Sequence, residues 1–438
     1  MSSSWSQRRK RKRPPVPVEV DIKIDRLGSG GDGISEHLGK PVYAPGLLPG
    51  EKALVRLTNN RGDGRIAETI TRHSNSVDRI TPACLHAEAC GGCSVQHLSS
   101  SAYSEWKENL LTKALSSKGL VAERRHPIVQ IEDGRRRLRF AVIGTSTGAV
   151  LGFNSKASRK IVGIEHCYVA IPELTDIAQQ IRSLLSNLLE TGETADVEVR
   201  NSVSGLDFLL VRTRELNYQE RIEIASWMSD FDGARFAWLP EDNEIPEIII
   251  ERRPPSLDIN GISVTPPPGA FFQPTAAGEA LMAKFIAARL EGSSIVADLF
   301  SGWGAFALRL AGSMHVQAYE GSELMISSLN QAAAAAGLRG YVTGFTRDLE
   351  RQPLLENELS QFDAIVLDPP RSGALKQSKL LAAGGPNRIV YLSCNPIALA
   401  RDAQVLVNGG YQFREAQPID QFRWTPHLEV ACLFEREN

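Results

Sequence analysis

Residues 295–304 read Ile295-Val296-Ala297-Asp298-Leu299-Phe300-Ser301-Gly302-Trp303-Gly304. This stretch decides the fold of the C-terminal part of the chain, because an apolar run that suits a buried strand leads directly into a turn with two glycines. A helical pattern follows over residues 306–311. Glycines allow a tight turn and let the backbone approach a ligand closely. The stretch therefore predicts a strand, a turn and a helix, with a binding site at the turn.

Three more short apolar runs follow, and each of them ends near a polar motif. Helical patterns, such as residues 332–336, separate the runs. The runs are residues 316–319, 364–367 and 389–392. Buried strands that alternate with helices are typical of parallel sheets. We predict an α/β fold, with a Rossmann-like doubly wound domain over residues 263–438 whose ligands lie at the carboxyl ends of the strands.

The acids at successive strand ends favour one cofactor over another. The spacing of Gly302 and Gly304 also satisfies the loose dinucleotide pattern, so NAD is an alternative. Asp298 stands ahead of these glycines, where it would repel the pyrophosphate of NAD and attract a cationic methionine group. Glu320 is then placed to accept the ribose hydroxyls and Asp348 to hold the adenine. We predict that the cofactor is S-adenosylmethionine.

Two proline-containing motifs end the last two predicted parallel strands: Asp368-Pro369-Pro370-Arg371 and Ser393-Cys394-Asn395-Pro396. A thiol beside this cofactor is unnecessary for methylating nitrogen, but C5 of a pyrimidine needs activation by thiolate addition at C6. Cys394 is the predicted nucleophile. Glu429 begins a final apolar strand, where desolvation would raise its pKa, and is the predicted base for the C5 proton. The alternative is an inert buried Cys394 and a Glu429 that faces water.

Three of the six cysteines crowd into ten positions, which is no disulfide framework. Cys84, Cys90 and Cys93 share a glycine-containing loop, and Cys167 is the nearby candidate for a fourth ligand. The spacing fits zinc or an iron–sulfur cluster, since both accept four thiolates. The alternative is a set of buried cysteines without a metal.

The N-terminal part has a different pattern. Residues 1–15 form a predicted disordered tail with six consecutive cations, suited to a nucleic-acid arm, a nuclear address or a solvated end. Residues 16–72 alternate apolar and polar positions between glycine clusters, which predicts a small antiparallel barrel that carries RNA or acts as a spacer. Residues 73–262 form a predicted α+β middle domain. Its crowded Arg135, Arg136, Arg137 and Arg139 suggest a solvated strand face or contacts with phosphate.

The composition is that of a globular protein, with 438 residues, 42% hydrophobic and 23% charged. No secretory signal and no apolar stretch long enough for a membrane helix is present. We expect a cytoplasmic protein of a reducing compartment, without membrane association and monomeric.

Several motifs together resemble the bacterial RNA (uracil-5-)methyltransferase family over about residues 16–434. They are Asp368-Pro369-Pro370-Arg371, Ser393-Cys394-Asn395-Pro396, Asp420-Gln421-Phe422 and His427-Leu428-Glu429. The resemblance implies that Cys394 is the nucleophile and Glu429 the base. It also implies that Gln273, Phe300, Glu320 and Asp368 line the cofactor and target pocket. Ala305 and Arg423-Trp424 depart from the family pattern.

Two further resemblances concern the N-terminal half. Residues 45–51 and the glycine-rich turn before them resemble a TRAM domain, an OB-like RNA-binding barrel. The cysteine motifs resemble the [4Fe-4S] module of RNA uracil-5-methyltransferases, which implies that Cys84, Cys90, Cys93 and Cys167 hold that cluster. This combination implies a ribosomal RNA substrate, most simply 23S rRNA, with tRNA as the alternative.

A uridine can meet both the thiol and the methyl group only in a loop or flipped out of the stack. Two functions of other classes remain at this stage. One is a non-catalytic RNA-binding or assembly factor, against which the intact Cys394 and Glu429 argue. The other is an NAD-linked redox enzyme, which leaves Cys394 without a role.

Overall fold

The computed structural model describes residues 17–156, 158–231, 233–241 and 245–437, so the predicted basic tail lies outside the described residues. The chain divides into two compact units. Among the described residues, the small unit contains residues 17–83, 93–106 and 424–426, and the large unit contains residues 84–92, those between 107 and 423, and residues 427–437. None of the described helices is both long and apolar enough to span a bilayer. The domain boundaries after residues 72 and 262 stay predictions.

The small unit is built on a sheet of six strands within the described residues. They are β1 (Val18–Lys23), β2 (Arg26–Leu27), β3 (Gly33–His37), β4 (Lys40–Ala44), β5 (Lys52–Arg61) and β6 (Gly64–Arg72), in the order β1-β5-β6-β4-β3-β2. The predicted alternation is confirmed in β1, where Ile22 is buried between exposed Asp21 and Lys23. The antiparallel prediction is wrong for one pair, because β4 and β6 run parallel. The TRAM identity stays a prediction.

The first part of the large unit carries a mostly antiparallel sheet. Helix α1 (Ser100–Ser116) begins in the small unit and ends in the large unit. The elements that follow it are β7 (Arg124–Arg125), β8 (Val129–Gln130), β9 (Arg137–Thr145), β10 (Gly148–Asn154), β11 (Ile161–Gly163), α2 (Pro172–Asp176), α3 (Ala178–Leu188), β12 (Thr194–Ser202), β13 (Gly205–Val211), α4 (Tyr218–Trp227), β14 (Gly233–Leu239), β15 (Glu247–Glu251), β16 (Leu257–Ile259) and β17 (Ile262–Val264). The sheet order is β11-β10-β9-β12-β13-β14-β15, and β16 pairs with β17.

The second part of the large unit alternates strands and helices. Its elements are α5 (Ala276–Arg289), β18 (Ile295–Leu299), α6 (Ala307–Leu310), β19 (His315–Glu320), α7 (Glu323–Ala335), β20 (Val342–Thr346), α8 (Glu356–Leu359), β21 (Ala364–Leu367), α9 (Leu375–Gly384), β22 (Arg388–Ser393), α10 (Pro396–Asn408), β23 (Gln412–Asp420) and β24 (Glu429–Glu435). The sheet order is β20-β19-β18-β21-β22-β24-β23-β7, with β8 also beside β23.

Apolar side chains cover both faces of this second sheet. Within β18, Val296 belongs to a core with α5 and α7, whereas Ala297 and Leu299 belong to a core with α9 and α10. Strands β20, β19, β18, β21 and β22 are parallel, and β24 runs antiparallel between β22 and β23. The α/β doubly wound fold predicted from the sequence is therefore confirmed, and the antiparallel position of β24 inside the sheet is an addition to that prediction.

This topology brings the predicted site residues to one edge. The order of strands reverses at β18, which has β19 on one side and β21 on the other, and ligands of such sheets bind at that reversal. The carboxyl ends of β18, β21 and β22 share this edge because the strands are parallel. Since Ser393 pairs with Val430, the start of β24 also lies there.

Candidate active site

Asp298 is the first acid of the candidate site and is fully buried near the end of β18. Its pKa is raised to about 8, mainly by burial and then by the negative charges of Asp368 and Glu320. The backbone amide of Ala307 partly offsets this rise, but neither carboxylate oxygen makes a hydrogen bond of ordinary geometry with the described residues. A buried acid in this state attracts a cationic group.

The turn after β18 bends through left-handed backbone conformations. Phe300 has φ +63°, which is costly for a residue with a side chain, and Gly302 and Gly304 have φ +56° and +90°. A Cβ on Gly304 would lie 2.5 Å from a methyl carbon of Leu329 on α7. Gly304 therefore permits helix packing, whereas a Cβ on Gly302 would meet nothing closer than 3.8 Å. Of the two predicted cofactor glycines, Gly302 has the open surface.

Glu320 ends β19 beside this turn. Its carboxylate accepts hydrogen bonds from the backbone amides of Gly302, at 3.2 Å, and Ser322, at 3.0 Å. Asp348 follows β20 and is exposed, and its Oδ1 accepts from the amides of Glu350 and Arg351 at 3.0 and 3.1 Å. Glu320 and Asp348, the residues predicted to bind the ribose and the adenine, thus follow one another at the carboxyl ends of β19 and β20.

A cavity of about 270 Å³ opens at the same edge of the sheet. Phe300, Leu349, Gly373, Lys376 and Arg401 are among the residues that line it. Its walls come from the turn after β18, from the segments that follow β20 and β21, and from Arg401 on α10. The cavity offers apolar surface at Phe300 and at Leu349, the residue after Asp348.

Cys394 follows β22 directly, next to the start of β24. Its pKa is raised to about 12, mainly by burial and then by the charges of Glu429 and Asp368, while Arg371 lowers it. Asn395 caps α10 through the amide of Ile397 and donates from Nδ2 to the carbonyl oxygen of Arg371 at 2.9 Å. This contact joins the two predicted motifs, and the residues predicted as nucleophile and base influence each other electrostatically.

Glu429 begins β24 and is 3% exposed. Its pKa is raised to about 8, mainly by burial and then by the charge of Asp368, while a hydrogen bond from Gln421 lowers it. The pKa of Asp368 is raised to about 7 by burial and by the charge of Glu279, while Gln273 lowers it. The prediction that Glu429 has a raised pKa through desolvation is therefore confirmed.

Sequence reasoning missed the polar side chains that hold the Gln273 segment. Arg200, Arg235 and Arg136 donate to the carbonyl oxygens of Ala270, Pro266 and Gln273, at 3.1, 3.0 and 3.0 Å. Arg136 also pairs with the buried Glu279. The guanidinium group of Arg136 therefore binds groups inside the protein. Both predicted roles, on a solvated strand face or in contact with phosphate, are wrong for this residue. The one sequence signal for these contacts was the crowding of arginines over residues 135–139.

The predicted metal ligands do not form a metal site in this structure. Cys84, Cys90 and Cys167 belong to the large unit and Cys93 to the small unit. Within the described ranges, no group of three or more His, Cys, Asp or Glu side chains is arranged to hold a metal ion. Cys84 and Cys90 are close enough for the Cys84 charge to contribute to the raised pKa of Cys90, after burial. The cluster therefore stays a prediction, and no step of the chemistry below involves one. Cys432 is fully buried, as predicted for a core residue.

Comparison with known proteins adds the family. Residues 342–437, which include Asp368, Cys394 and Glu429, match the family model described as tRNA (uracil-5-)-methyltransferase. An uncharacterized RNA methyltransferase of Mesorhizobium japonicum is 38% identical over 414 residues, 94% of this chain and 97% of that protein. Another from Rhizobium meliloti is 37% identical over 421 residues, 95% of this chain and 99% of that protein.

A solved structure has the same fold over nearly the whole chain. The Pyrococcus abyssi tRNA (uracil-54, C5)-methyltransferase in complex with S-adenosyl-L-homocysteine aligns with a TM-score of 0.74, covering 95% of this chain and 100% of that one at 22% identity. At this identity the likeness concerns the fold. The bacterial relatives match over almost their full lengths, and the candidate site holds an acid-lined turn, a thiol and a buried carboxyl group on one sheet edge. The chain therefore belongs to the RNA methyltransferase family and is an enzyme.

Proposed function

We propose that this enzyme transfers a methyl group from S-adenosylmethionine to C5 of a uridine in RNA, through a covalent bond between Cys394 and C6 of the base. One observation carries the proposal: Cys394 and Glu429 lie together at the sheet edge that also holds Asp298 and Glu320. N-methylation needs no thiol there, whereas C5 methylation needs a nucleophile and a base.

The cofactor pocket is proposed from the chemistry of its side chains. Buried Asp298 has no ordinary hydrogen-bond partner among the described residues and would accept the cationic methionine end, for which Gly302 leaves room. Glu320 would accept the ribose hydroxyls, and Asp348 with Phe300 would hold the adenine. We assign Gln273 and Asp368 to the boundary between cofactor and target base. Gly304 shapes the turn by letting α7 approach. Bound S-adenosylmethionine would supply an electrophilic methyl group.

The proposed reaction uses two side chains in turn. The Cys394 thiolate adds to C6 of the uracil, and the electron pair of the C5–C6 double bond moves into an enolate. C5 then takes the methyl group, and the sulfonium donor would leave as a neutral thioether that keeps the electron pair of the broken S–C bond. Glu429 removes the proton that remains on C5, the double bond re-forms, and the Cys394 sulfur leaves C6. The pKa of Cys394 is raised to about 12, which disfavours the thiolate. The nearby positive charge of Arg371 lowers this pKa and so helps to stabilise the thiolate.

Two RNA classes are candidates for the substrate. The resemblance of residues 16–72 to a TRAM domain supports ribosomal RNA, and 23S rRNA is the first substrate to test. The description of the matching family model supports tRNA as the second candidate. We place the enzyme in the cytoplasm as a monomer. The [4Fe-4S] cluster predicted from the cysteines carries no part of this proposal.

Labelled S-adenosylmethionine and unmodified total RNA test the proposal. We expect the label in 5-methyluridine after digestion, and mapping of that uridine identifies the RNA class. Cys394→Ala should abolish transfer, since no adduct can form. Glu429→Gln should accumulate a methylated protein–RNA adduct that survives denaturing electrophoresis.

Glu435→Gln is the matched control for the base, because it makes the same change at the other end of β24 and should retain activity. Label on a nitrogen or a ribose, or full activity of Cys394→Ala, would overturn the proposed function.

A further inference from the structure

Gln421 follows β23 and is 2% exposed, although its side chain is polar. Its Nε2 lies 3.0 Å from Oε1 of Gln273 and 3.2 Å from Oε2 of Glu429, and it donates a hydrogen bond to each. The amide of Gln421 thus stands between a residue assigned to the cofactor and target pocket and the proposed base.

The orientation of this amide follows from its other neighbour. Thr275 caps α5, where its hydroxyl oxygen accepts from the amide of Gly278 at 3.1 Å and its hydroxyl donates to Oε1 of Gln421 at 3.4 Å. With Oε1 accepting from Thr275, the NH₂ group points to Gln273 and Glu429. A Cβ on Gly278 would lie 2.6 Å from this Oε1, so the slot fits the amide closely.

The hydrogen bonds continue to a second acid. Nε2 of Gln273 donates to Oδ2 of Asp368 at 3.3 Å. Asp368 and Glu429 therefore stand at the two ends of a pair of amides, and each acid accepts one N–H. Among the described residues, Gln421 gives the carboxyl group of Glu429 its one side-chain hydrogen bond.

We propose that Gln421 is a positioning residue of the methyl transfer: it holds one carboxylate oxygen of Glu429 so that the other faces the C5 proton of the adduct. The proposal rests on the proposed function. Its physical basis is that a buried carboxylate is stabilised by a donated hydrogen bond, which also fixes its rotamer. Removal of the donor should slow proton removal from C5 and leave thiolate addition and methyl transfer largely intact.

The test separates these steps. RNA with tritium at C5 of uracil and a differently labelled methyl donor allow methyl incorporation and tritium release to be measured in one sample. With Gln421→Met, which has a similar length but no donor, tritium release should slow by roughly 10- to 100-fold, since a hydrogen bond to a charged group is lost. Methylated adduct should accumulate, and the pH midpoint of release should move to higher pH because the donor lowers the pKa of Glu429.

Two further variants keep the test sharp. Gln421→Glu has the same size and adds a negative charge beside Glu429, so it should also delay tritium release and accumulate adduct. It replaces Gln421→Met in the test if that variant folds poorly. Gln417→Leu changes a partly exposed amide four residues earlier on β23 and should behave like the wild type.

Equal loss of methyl incorporation and tritium release without adduct, or a wild-type pH profile in both Gln421 variants, overturns the inference. A wild-type enzyme that methylates RNA without releasing tritium from C5 overturns the proposed function itself.

Discussion

The carboxyl group of Asp298 lies where water cannot solvate its charge, and Asp368 and Glu429 share this condition in part. Their pKa values are raised to about 8, 7 and 8. The first cause in each case is burial, and the charge of a neighbouring acid adds to it. A nearby positive charge would stabilise the ionised form of these acids, and a sulfonium cofactor would supply that charge.

This state predicts how stability depends on pH without cofactor. The folded-state pKa of Asp298, about 8, lies above its usual 3.8, so the folded protein keeps a proton that the unfolded chain releases. The resulting stabilisation is complete below the unfolded pKa and is lost as pH rises through about 8. We expect the Tm to fall between pH 5 and pH 8.5.

The Asp298→Asn side chain stays neutral at all these pH values, so the Tm of this variant should fall less. The difference in Tm between the two proteins should change by more than about 4 °C from pH 5 to pH 8.5. Thermal denaturation of both proteins across the pH range measures this. Parallel curves would show that Asp298 is ionised in the folded protein at neutral pH.

At the scale of elements, the connection between β23 and β24 decides where Glu429 stands. Lys107 on α1 is fully buried and holds both ends of this connection. Its Nζ donates to Oδ1 of Asp420 at 2.7 Å, to the carbonyl oxygen of Phe422 at 3.3 Å, and to the carbonyl oxygen of His427. A helix far from Glu429 in sequence therefore fixes the segments on either side of Gln421 and before Glu429.

Lys107→Met should destabilise the protein by about 3–5 kcal/mol, because Asp420 is left as a buried charge without its cation. Denaturant unfolding measures the loss. Lys113→Met removes an exposed lysine from the same helix and should change stability by less than about 0.5 kcal/mol. Replacing both partners, with Lys107→Met and Asp420→Leu together, should recover part of the loss. Similar stability of Lys107→Met and Lys113→Met would contradict the buried pair.

The sequence predicted elements well where apolar side chains alone define them. The runs at β18, β19, β21 and β22 are buried on both faces, so their composition is enough. Strand β20 was missed because its Val342-Thr343-Gly344-Phe345-Thr346 lies at the sheet edge with Val342 alone buried. The pattern over residues 306–311 was helical, but the four-residue α6 is all that forms.

Polar contacts inside the site were beyond sequence reasoning. The roles proposed for Cys394 and Glu429 follow from motifs that the sequence shows, whereas the role proposed for Gln421 depends on a geometry that only the folded chain supplies. The same holds for Arg136 and Arg200, whose partners are carbonyl oxygens far away in sequence. A polar residue in a buried position has no signal in hydrophobic periodicity.

At the scale of the whole molecule, a metal and sulfide analysis tests whether the cysteines bind a cluster. We keep the [4Fe-4S] cluster as a prediction and expect about four iron and four acid-labile sulfide per chain after anaerobic purification. Cys167→Ser should lose both, while Cys432→Ser, a buried core change, should lose stability but retain iron. One equivalent of zinc without sulfide, or no metal at all, would contradict the prediction.

The position of β24 has a consequence for how the enzyme is made. The strand pairs with β22 on one side and β23 on the other, yet it follows both in the chain. A ribosome therefore delivers β24 after both of its neighbours, whose edges toward β24 stay unpaired until it is made. Until β24 pairs with these strands, the nascent protein has the proposed nucleophile but lacks the proposed base, so on this proposal assembly of the sheet also completes the catalytic site.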